Sequence, residues 1–310
     1  MSLKIKHLMG LRDVCREDIE KIMEHALSFR EILERDIKKV PILRGKTIVN
    51  LFFENSTRTR ISFELAEKRL SGDSVNFTSS SSSVKKGETL KDTVRNIESM
   101  KIDMIVVRHG SVGVPEFLAE CTGATIINAG DGANEHPTQA LLDMRTILDH
   151  KKTISGLKVA IIGDVLHSRV TRSNIWGLKT MGADVTVCGP STLMPLDMSE
   201  FGVKYTSRVE EALDGADVVM SLRLQIERQA SGLLPSIAEY RNFFGINAER
   251  MKLAARDSII MHPGPINRGI EMESDIADCG QSVILEQVTN GVAVRMAVLY
   301  LLGGGENEND

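Results

Sequence analysis

The densest group of residues able to do chemistry is Phe52-Phe53-Glu54-Asn55-Ser56-Thr57-Arg58-Thr59-Arg60. An apolar run passes directly into Asn, Ser and Thr, residues that cap helix N-termini, and a helical period follows. Such a turn aims backbone N–H groups along the positive end of a helix dipole. With the hydroxyls of Ser56, Thr57 and Thr59 and the guanidinium of Arg58, it reads as a phosphate site. The alternative is a capped helix with two surface arginines. The turn is not a Walker loop, because GxxxxGK[ST] is missing. Phe63, Ala66 and Leu70 lie on one side of the helix and Ile61 and Leu65 on the other, which predicts burial of both sides and a crevice at its polar start.

A second group is Asn128-Ala129-Gly130-Asp131-Gly132-Ala133-Asn134-Glu135-His136-Pro137-Thr138-Gln139. Gly130 and Gly132 permit tight turns after a strand, and Pro137 suits the first turn of a helix, so His136 and Gln139 emerge at one helix end. A third pattern repeats along the chain. Arg108-His109, Arg169, Arg223 with Gln225, and His262-Pro263-Gly264-Pro265 each follow a candidate strand. Ligands bind at the carboxyl ends of strands in open parallel sheets, and this repeated placement of Arg, Gln and His predicts a site for polyanionic ligands. Singly, each is a weak sign, since arginines in loops are usually solvated. There is no GxGxxG, HExxH or GxSxG, and no clustered carboxylates suited to Mg²⁺.

The elements that must position these groups are legible as apolar runs alternating with helix-period segments. Candidate strands are 47–53, 103–107, 125–128, 158–162, 184–188, 217–220 and 258–261, most of them continuous Val and Ile runs of the kind covered on both faces. Candidate helices are 16–37, 58–70, 88–100, 137–150 and 168–181. This alternation gives an α/β class with parallel sheets. A domain boundary is expected near 140–155, where a polar stretch and Gly156 precede a fresh strand. The segment 290–302 reads as a helix able to pack on either half, and the Gly-rich acidic tail 303–310 as disordered. Five serines, Ser79 to Ser83, lead into Val84-Lys85-Lys86-Gly87-Glu88. They read either as a flexible linker or as a binding loop for an anion.

At 310 residues, two domains are the expectation. Hydrophobic residues at 42% and charged residues at 26% fit a soluble globular chain. A formal net charge of -4 argues against nucleic acid or an anionic membrane as partner, so anion binding must come from local placement of Lys and Arg. Cys15, Cys121, Cys188 and Cys279 are scattered without metal-ligand spacing, as in a reducing compartment. No export signal or membrane span is apparent, and a cytoplasmic location is expected.

Ser56-Thr57-Arg58-Thr59-Arg60, His136-Pro137-Thr138-Gln139 and His262-Pro263-Gly264-Pro265, in this order and spacing, resemble the carbamoyltransferases over roughly residues 3–302. Lys85-Lys86-Gly87-Glu88, Arg223-Leu224-Gln225 and the His-Pro-Gly-Pro form resemble the family's aspartate branch. The ornithine branch's His-Cys-Leu-Pro and Ser-Met-Gly motifs do not occur. The resemblance implies an α/β fold of two domains, each with a parallel sheet flanked by helices. Residues 1–140, joined by the helix 288–302, would bind carbamoyl phosphate, and 151–287 would bind L-aspartate. The implied reaction gives N-carbamoyl-L-aspartate and phosphate, in pyrimidine biosynthesis, without cofactor or metal.

In that resemblance Ser56, Thr57, Arg58 and Thr59 hold the phosphate, while Thr59, Arg108 and His136 polarise the carbonyl oxygen. Gln139 and the segment Pro263, Gly264 and Pro265 orient the carbamoyl amide, and Arg169, Arg223 and Gln225 hold aspartate. Ser82, in a run whose register is ambiguous, and Lys86 reach a neighbouring subunit's site, implying a homotrimer. The continuation Ile266-Asn267-Arg268-Gly269-Ile270-Glu271 resembles the branch lacking a regulatory chain, whose members often associate with dihydroorotase.

Overall fold

The computed structural model describes residues 3–78, 88–225 and 232–305. The serine run, Lys85, Lys86 and Gly87 lie outside the described residues, as does the tail from residue 306. The chain divides into two compact units, 1–145 with 289–310 and 146–288.

In the first unit α1 (Arg16–Leu33) precedes β1 (Thr47–Phe52), α2 (Thr57–Arg69), β2 (Asp73–Thr78), α3 (Leu90–Glu98), β3 (Met104–His109), α4 (Val114–Cys121), β4 (Thr125–Asp131) and the start of α5 (Pro137–Lys151). The strands form a parallel sheet in the order β2-β1-β3-β4. Ile48, Leu51, Ile105, Val106, Val107, Ile126 and Ile127 are fully buried, because a parallel sheet has both faces covered. Leu51, Ile105, Val107 and Ile126 pack with Val94 of α3 and Leu118 of α4 in one core cluster.

Elements of this unit that differ from the sequence expectation include α4, which was not among the candidate helices, and also β2 and α1. β2 was not anticipated. Its Asp-Ser-Val-Asn-Phe-Thr run lacks the Val/Ile signature because it is an edge strand, paired on one side by β1. α1 stops at Leu33, short of residue 37, because its last inward apolar residue is Leu33 and Ile37 is 77% exposed.

The second unit has β5 (Lys158–Ile162), α6 (Arg169–Thr180), β6 (Asp184–Cys188), β7 (Lys204–Thr206), α7 (Val209–Leu213), β8 (Val218–Ser221), α8 (Ile237–Phe244), α9 (Ala248–Met251), β9 (Ile259–Met261) and α10 (Ser274–Ala277). Its parallel sheet runs β7-β6-β5-β8-β9. The chain leaves and re-enters the first unit within α5 and α11 (Ile284–Leu302). α11 starts six residues earlier than its apolar run, at Ile284 against residue 290.

Both sheets have a topological switch point, where consecutive strands fall on opposite sides of a central one. It lies beside β1 and β3 in the first sheet and beside β5 and β8 in the second. Chain ends leaving adjacent strands in opposite directions open a crevice there, which is where open α/β sheets bind ligands.

Two buried polar contacts hold α2 in place. Glu67, fully buried, accepts from Asn50 Nδ2 of β1 at 2.9 Å and from the Ser74 hydroxyl of β2. Burial pushes its carboxyl up to about 7 against these two hydrogen bonds. From α11, Arg295 donates through Nη1 to Ser62 Oγ at 3.0 Å and to the Gly291 carbonyl at 2.9 Å. Its guanidinium lies 5.0 Å from the Phe63 ring centroid, and burial lowers it to about 10. The expectation that α2 is buried on both sides is not met within the chain. Phe63, Ala66 and Leu70 are fully buried, whereas Ile61 is 47% and Leu65 38% exposed.

Candidate active site

At the first switch point β1 ends and the chain turns through Ser56 into α2. Ser56 is the N-cap by position, but its side chain makes no capping hydrogen bond, and its carbonyl accepts from the Arg60 N–H at 3.1 Å. The first-turn N–H groups of a helix have no intrahelical acceptor. Here they join the hydroxyls of Ser56, Thr57 and Thr59 and the exposed Arg58, a donor set for a dianionic phosphate.

Arg108 leaves the adjacent strand β3 and is fixed in place. Its Nη1 donates to the Ala129 carbonyl at 2.9 Å, and its Nε lies 3.4 Å from Glu54 Oε2. Next to it His109 accepts from the Ser111 N–H at 2.8 Å, stacks edge-on against Phe53, and is lowered in pKa chiefly by burial.

β4 carries one residue more than β3 between the pairs Val107↔Asn128 and His109↔Asp131. The irregularity opens the loop to His136. Gly132 has φ +49°, and a Cβ there would lie 2.7 Å from Val112 Cγ2, so both backbone and space demand glycine. The buried carboxylate of Asp131 organises the loop, accepting from the N–H groups of Gly113 (3.0 Å) and Glu135 (3.1 Å) and from Asn128 Nδ2 (2.8 Å). His136, 5% exposed, caps α5 through its carbonyl, which accepts from the Gln139 N–H at 3.0 Å. Gln139 Nε2 donates one turn on to Asp143 Oδ1 at 3.0 Å. One donor of this predicted ligand is therefore engaged within its own helix.

The second unit repeats the arrangement. After β5, Gly163 turns at φ +139°, where a Cβ would meet Leu222 Cβ at 2.9 Å. Asp164, fully buried, then ties its own loop to the segment that follows β8. Its Oδ1 lies 2.8 Å from His167 Nδ1, and its Oδ2 accepts from the Gln225 N–H at 3.2 Å. Gln225 Nε2 donates in turn to the His167 carbonyl at 3.0 Å. Arg169 opens α6 behind the N-cap Ser168, whose hydroxyl accepts from the Thr171 N–H at 3.2 Å; Arg169 is 4% exposed. Arg223, half-buried, follows β8 beside Gln225. Gln225 is the last described residue before a gap to 232.

His262 does not behave as the strand-end pattern suggested. Its ring is buried, with Nδ1 accepting from the Gly264 N–H at 2.8 Å and Nε2 3.4 Å from the fully buried Glu271 Oε1. That second approach is in ion-pair range without hydrogen-bond alignment. Glu271 Oε1 also accepts from the Asn267 N–H at 2.8 Å. The histidine thus shapes the Pro263–Pro265 turn. Gly264 has φ +65°, which accounts for glycine in the third place of the motif, and its bond to Pro265 is cis.

Glu54 faces Arg108, while Asp131, Glu135, Asp164 and Glu271 brace the loops that carry the other candidate groups, and local spacing marks none of these carboxylates. Among the described residues no group of three His, Cys, Asp or Glu is placed to hold a metal ion, and no helix is long and apolar enough to cross a membrane.

Two parallel α/β units, each with arginines and amide or hydroxyl donors at its switch point, define a protein built to hold anionic small molecules. The chain belongs to the aspartate/ornithine carbamoyltransferase family. Residues 6–149 match that family's carbamoyl-P binding domain and residues 155–302 its Asp/Orn binding domain. Within the family it is 59% identical to the aspartate carbamoyltransferase catalytic subunit of Gemmatimonas aurantiaca, covering 98% of this chain and 95% of that one. Among solved structures it resembles ornithine carbamoyltransferase from Pyrococcus furiosus, at 31% identity and TM-score 0.87, covering 99% of this chain and 100% of that one. It equally resembles aspartate transcarbamoylase from Trypanosoma cruzi in complex with N-(phosphonacetyl)-L-aspartic acid, at 34% identity and TM-score 0.86, covering 96% of both. The two TM-scores do not separate the branches. The near-full-length identity of 59% does.

Proposed function

We propose that this chain transfers the carbamoyl group of carbamoyl phosphate to the amino group of L-aspartate, giving N-carbamoyl-L-aspartate and phosphate. The observation that carries this reading is the 59% identity across 98% of the chain to an aspartate carbamoyltransferase catalytic subunit. Arg223 and Gln225 agree with it. An amine with a second amino group would call for a carboxylate at those positions.

In the mechanism the neutral amine attacks the carbonyl carbon, charge gathers on the carbonyl oxygen, and the C–O bond to phosphate breaks. A phosphate oxygen accepts the amine proton. The reaction asks for preorganised cations and hydrogen-bond donors rather than a covalent intermediate. Ser56, Thr57, Arg58 and Thr59 hold the phosphate. Thr59, Arg108 and His136 donate to the carbonyl oxygen. Gln139 and the Pro263–Gly264–Pro265 segment orient the carbamoyl amide, and Arg169, Arg223 and Gln225 hold the two carboxylates of aspartate.

Lys86 of the serine loop serves the site of a neighbouring subunit, so the working unit is a homotrimer in the cytoplasm, with dihydroorotase as a candidate associate. A catalytically idle scaffold would be expected to have lost Arg58, Lys86, His136 or Arg223, and all four are present. Calorimetric titration with N-(phosphonacetyl)-L-aspartic acid tests the reading. Saturable binding that carbamoyl phosphate weakens and that R58A abolishes is expected, and a chain that fails to bind the compound contradicts it.

A further inference from the structure

Behind His136 the structure joins the site to the beginning of the chain. Glu135, 5% exposed, immediately precedes His136. Its Oε2 accepts from the Leu11 N–H at 2.7 Å and its Oε1 from the Arg12 N–H at 3.4 Å, bonds that span more than 120 residues of sequence. The approach is close enough to fix the residue type at position 10. A Cβ on Gly10 would lie 2.2 Å from Glu135 Oε1 and 2.5 Å from its Cδ.

The preceding residues dock alongside. Leu8 bridges Ile127 in parallel, its N–H donating to the Ile126 carbonyl at 2.9 Å and its carbonyl accepting from the Asn128 N–H at 2.8 Å. His7 Nδ1 accepts from the Ile126 N–H at 3.0 Å, and the Met9 carbonyl accepts from Asn128 Nδ2 at 2.7 Å. Residues 7–12 therefore line the free side of β4 and then grip the far end of the loop that β4 begins. Asp131 pins the near end of that loop, and its N–H donates to the Glu135 carbonyl at 3.2 Å.

A donor to a developing oxyanion works only if it is held in place before the charge appears. We propose that Glu135 is a positioning residue for His136, and that residues 7–12 are the seat to which it is fastened. The N-terminal segment is thereby part of the reaction machinery, a role that rests on the reading of His136 as donor to the carbonyl oxygen. A carboxylate accepting backbone N–H bonds is strong and directional, and a displacement of about 1 Å at a reacting group can cost on the order of 100-fold in rate.

The test uses the full chain as wild type, E135A, E135Q and G10A. Sites are counted by titration with N-(phosphonacetyl)-L-aspartic acid, so that kcat is expressed per binding-competent site and partial unfolding drops out. The His136 ring resonances, identified through His136→Asn, are recorded in parallel without substrate. E135A and G10A should lower kcat per site by ~10–100-fold while KM for carbamoyl phosphate moves less than ~3-fold. Both should displace the His136 resonances. E135Q keeps an acceptor for the Leu11 N–H and should recover most of both effects. G10A adds one methyl group and supplies the answer if E135A does not fold. An unchanged kcat per site, or His136 resonances that superimpose on wild type in E135A and G10A, overturns the proposal. Should the wild-type chain prove inactive with aspartate, the assigned reaction fails and the ring resonances alone decide the positioning claim.

Discussion

Replacing Glu67 by glutamine should stabilise the first unit in alkali and leave it nearly unchanged in acid. The carboxyl is fully buried between α2, β1 and β2, with Asn50 and Ser74 as partners, and burial raises it from 4.5 to about 7. The charged groups that act on it are Glu64 and Lys68 of its own helix. Because the folded value lies above the unfolded one, the folded state keeps a proton that the unfolded state has lost. The carboxyl's favourable contribution is whole below pH 4.5, is lost progressively up to about 7, and stays lost above that. The interval corresponds to about 3.5 kcal/mol at roughly 1.4 kcal/mol per pH unit.

Glutamine does not titrate and keeps an acceptor for Asn50 and Ser74. Between pH 5 and pH 8.5 the advantage of E67Q over wild type should therefore grow by about 2.5 kcal/mol, or about 5–10 °C in Tm for a unit of this size. Scanning calorimetry of both proteins across that pH range reads it directly. A Tm difference that does not change with pH would refute the reasoning, since it would mean that Glu67 is ionised in the folded state throughout.

Three further outcomes follow from named contacts. His136→Ala should lower kcat by ~10–1,000-fold with little change in KM, as expected for loss of one donor to the developing oxyanion; a raised KM with kcat intact would remove His136 from that role. Cys188 is buried and its thiol is pushed up to about 12, while Cys15, Cys121 and Cys279 are half-exposed. Ellman's reagent at pH 8 should therefore label three thiols in the folded protein and the fourth only after denaturation, and labelling of Cys188 in the native state would contradict its burial. Gly189→Ala places a Cβ 2.3 Å from the Gly163 carbonyl, at the root of the Asp164 turn. It should cost at least about 2 kcal/mol and raise KM for aspartate, and a variant with unchanged Tm and KM would show that the turn yields freely.

The parts of the fold that were legible in the sequence share one physical cause. β1, β3, β4, β5 and β8 are buried on both faces, so each carries consecutive apolar residues rich in Val and Ile and could be read as a parallel strand. β2, half polar and at an edge, carries no such mark, and the outer face of α2, with Ile61 and Leu65, is apolar without being buried in the chain. The cationic groups of the candidate site were legible as a pattern in the sequence, because each follows a strand. The carboxylates around them were not. Glu135 bonds to Leu11, and Asp164 to Gln225, across separations of 124 and 61 residues. Local spacing carries no trace of such partners. His262 shows the converse: a strand-end histidine that looked like a ligand group is occupied by Gly264 and lies against Glu271.

The central claim is tested most directly by giving the purified 310-residue chain carbon-13 carbamoyl phosphate with either L-aspartate or L-ornithine and identifying the product by carbon NMR. Labelled N-carbamoyl-L-aspartate from the first mixture, with no citrulline from the second, is the predicted result. Citrulline formation, or an aspartate mixture in which the label appears only in the products of carbamoyl phosphate breakdown, would contradict it.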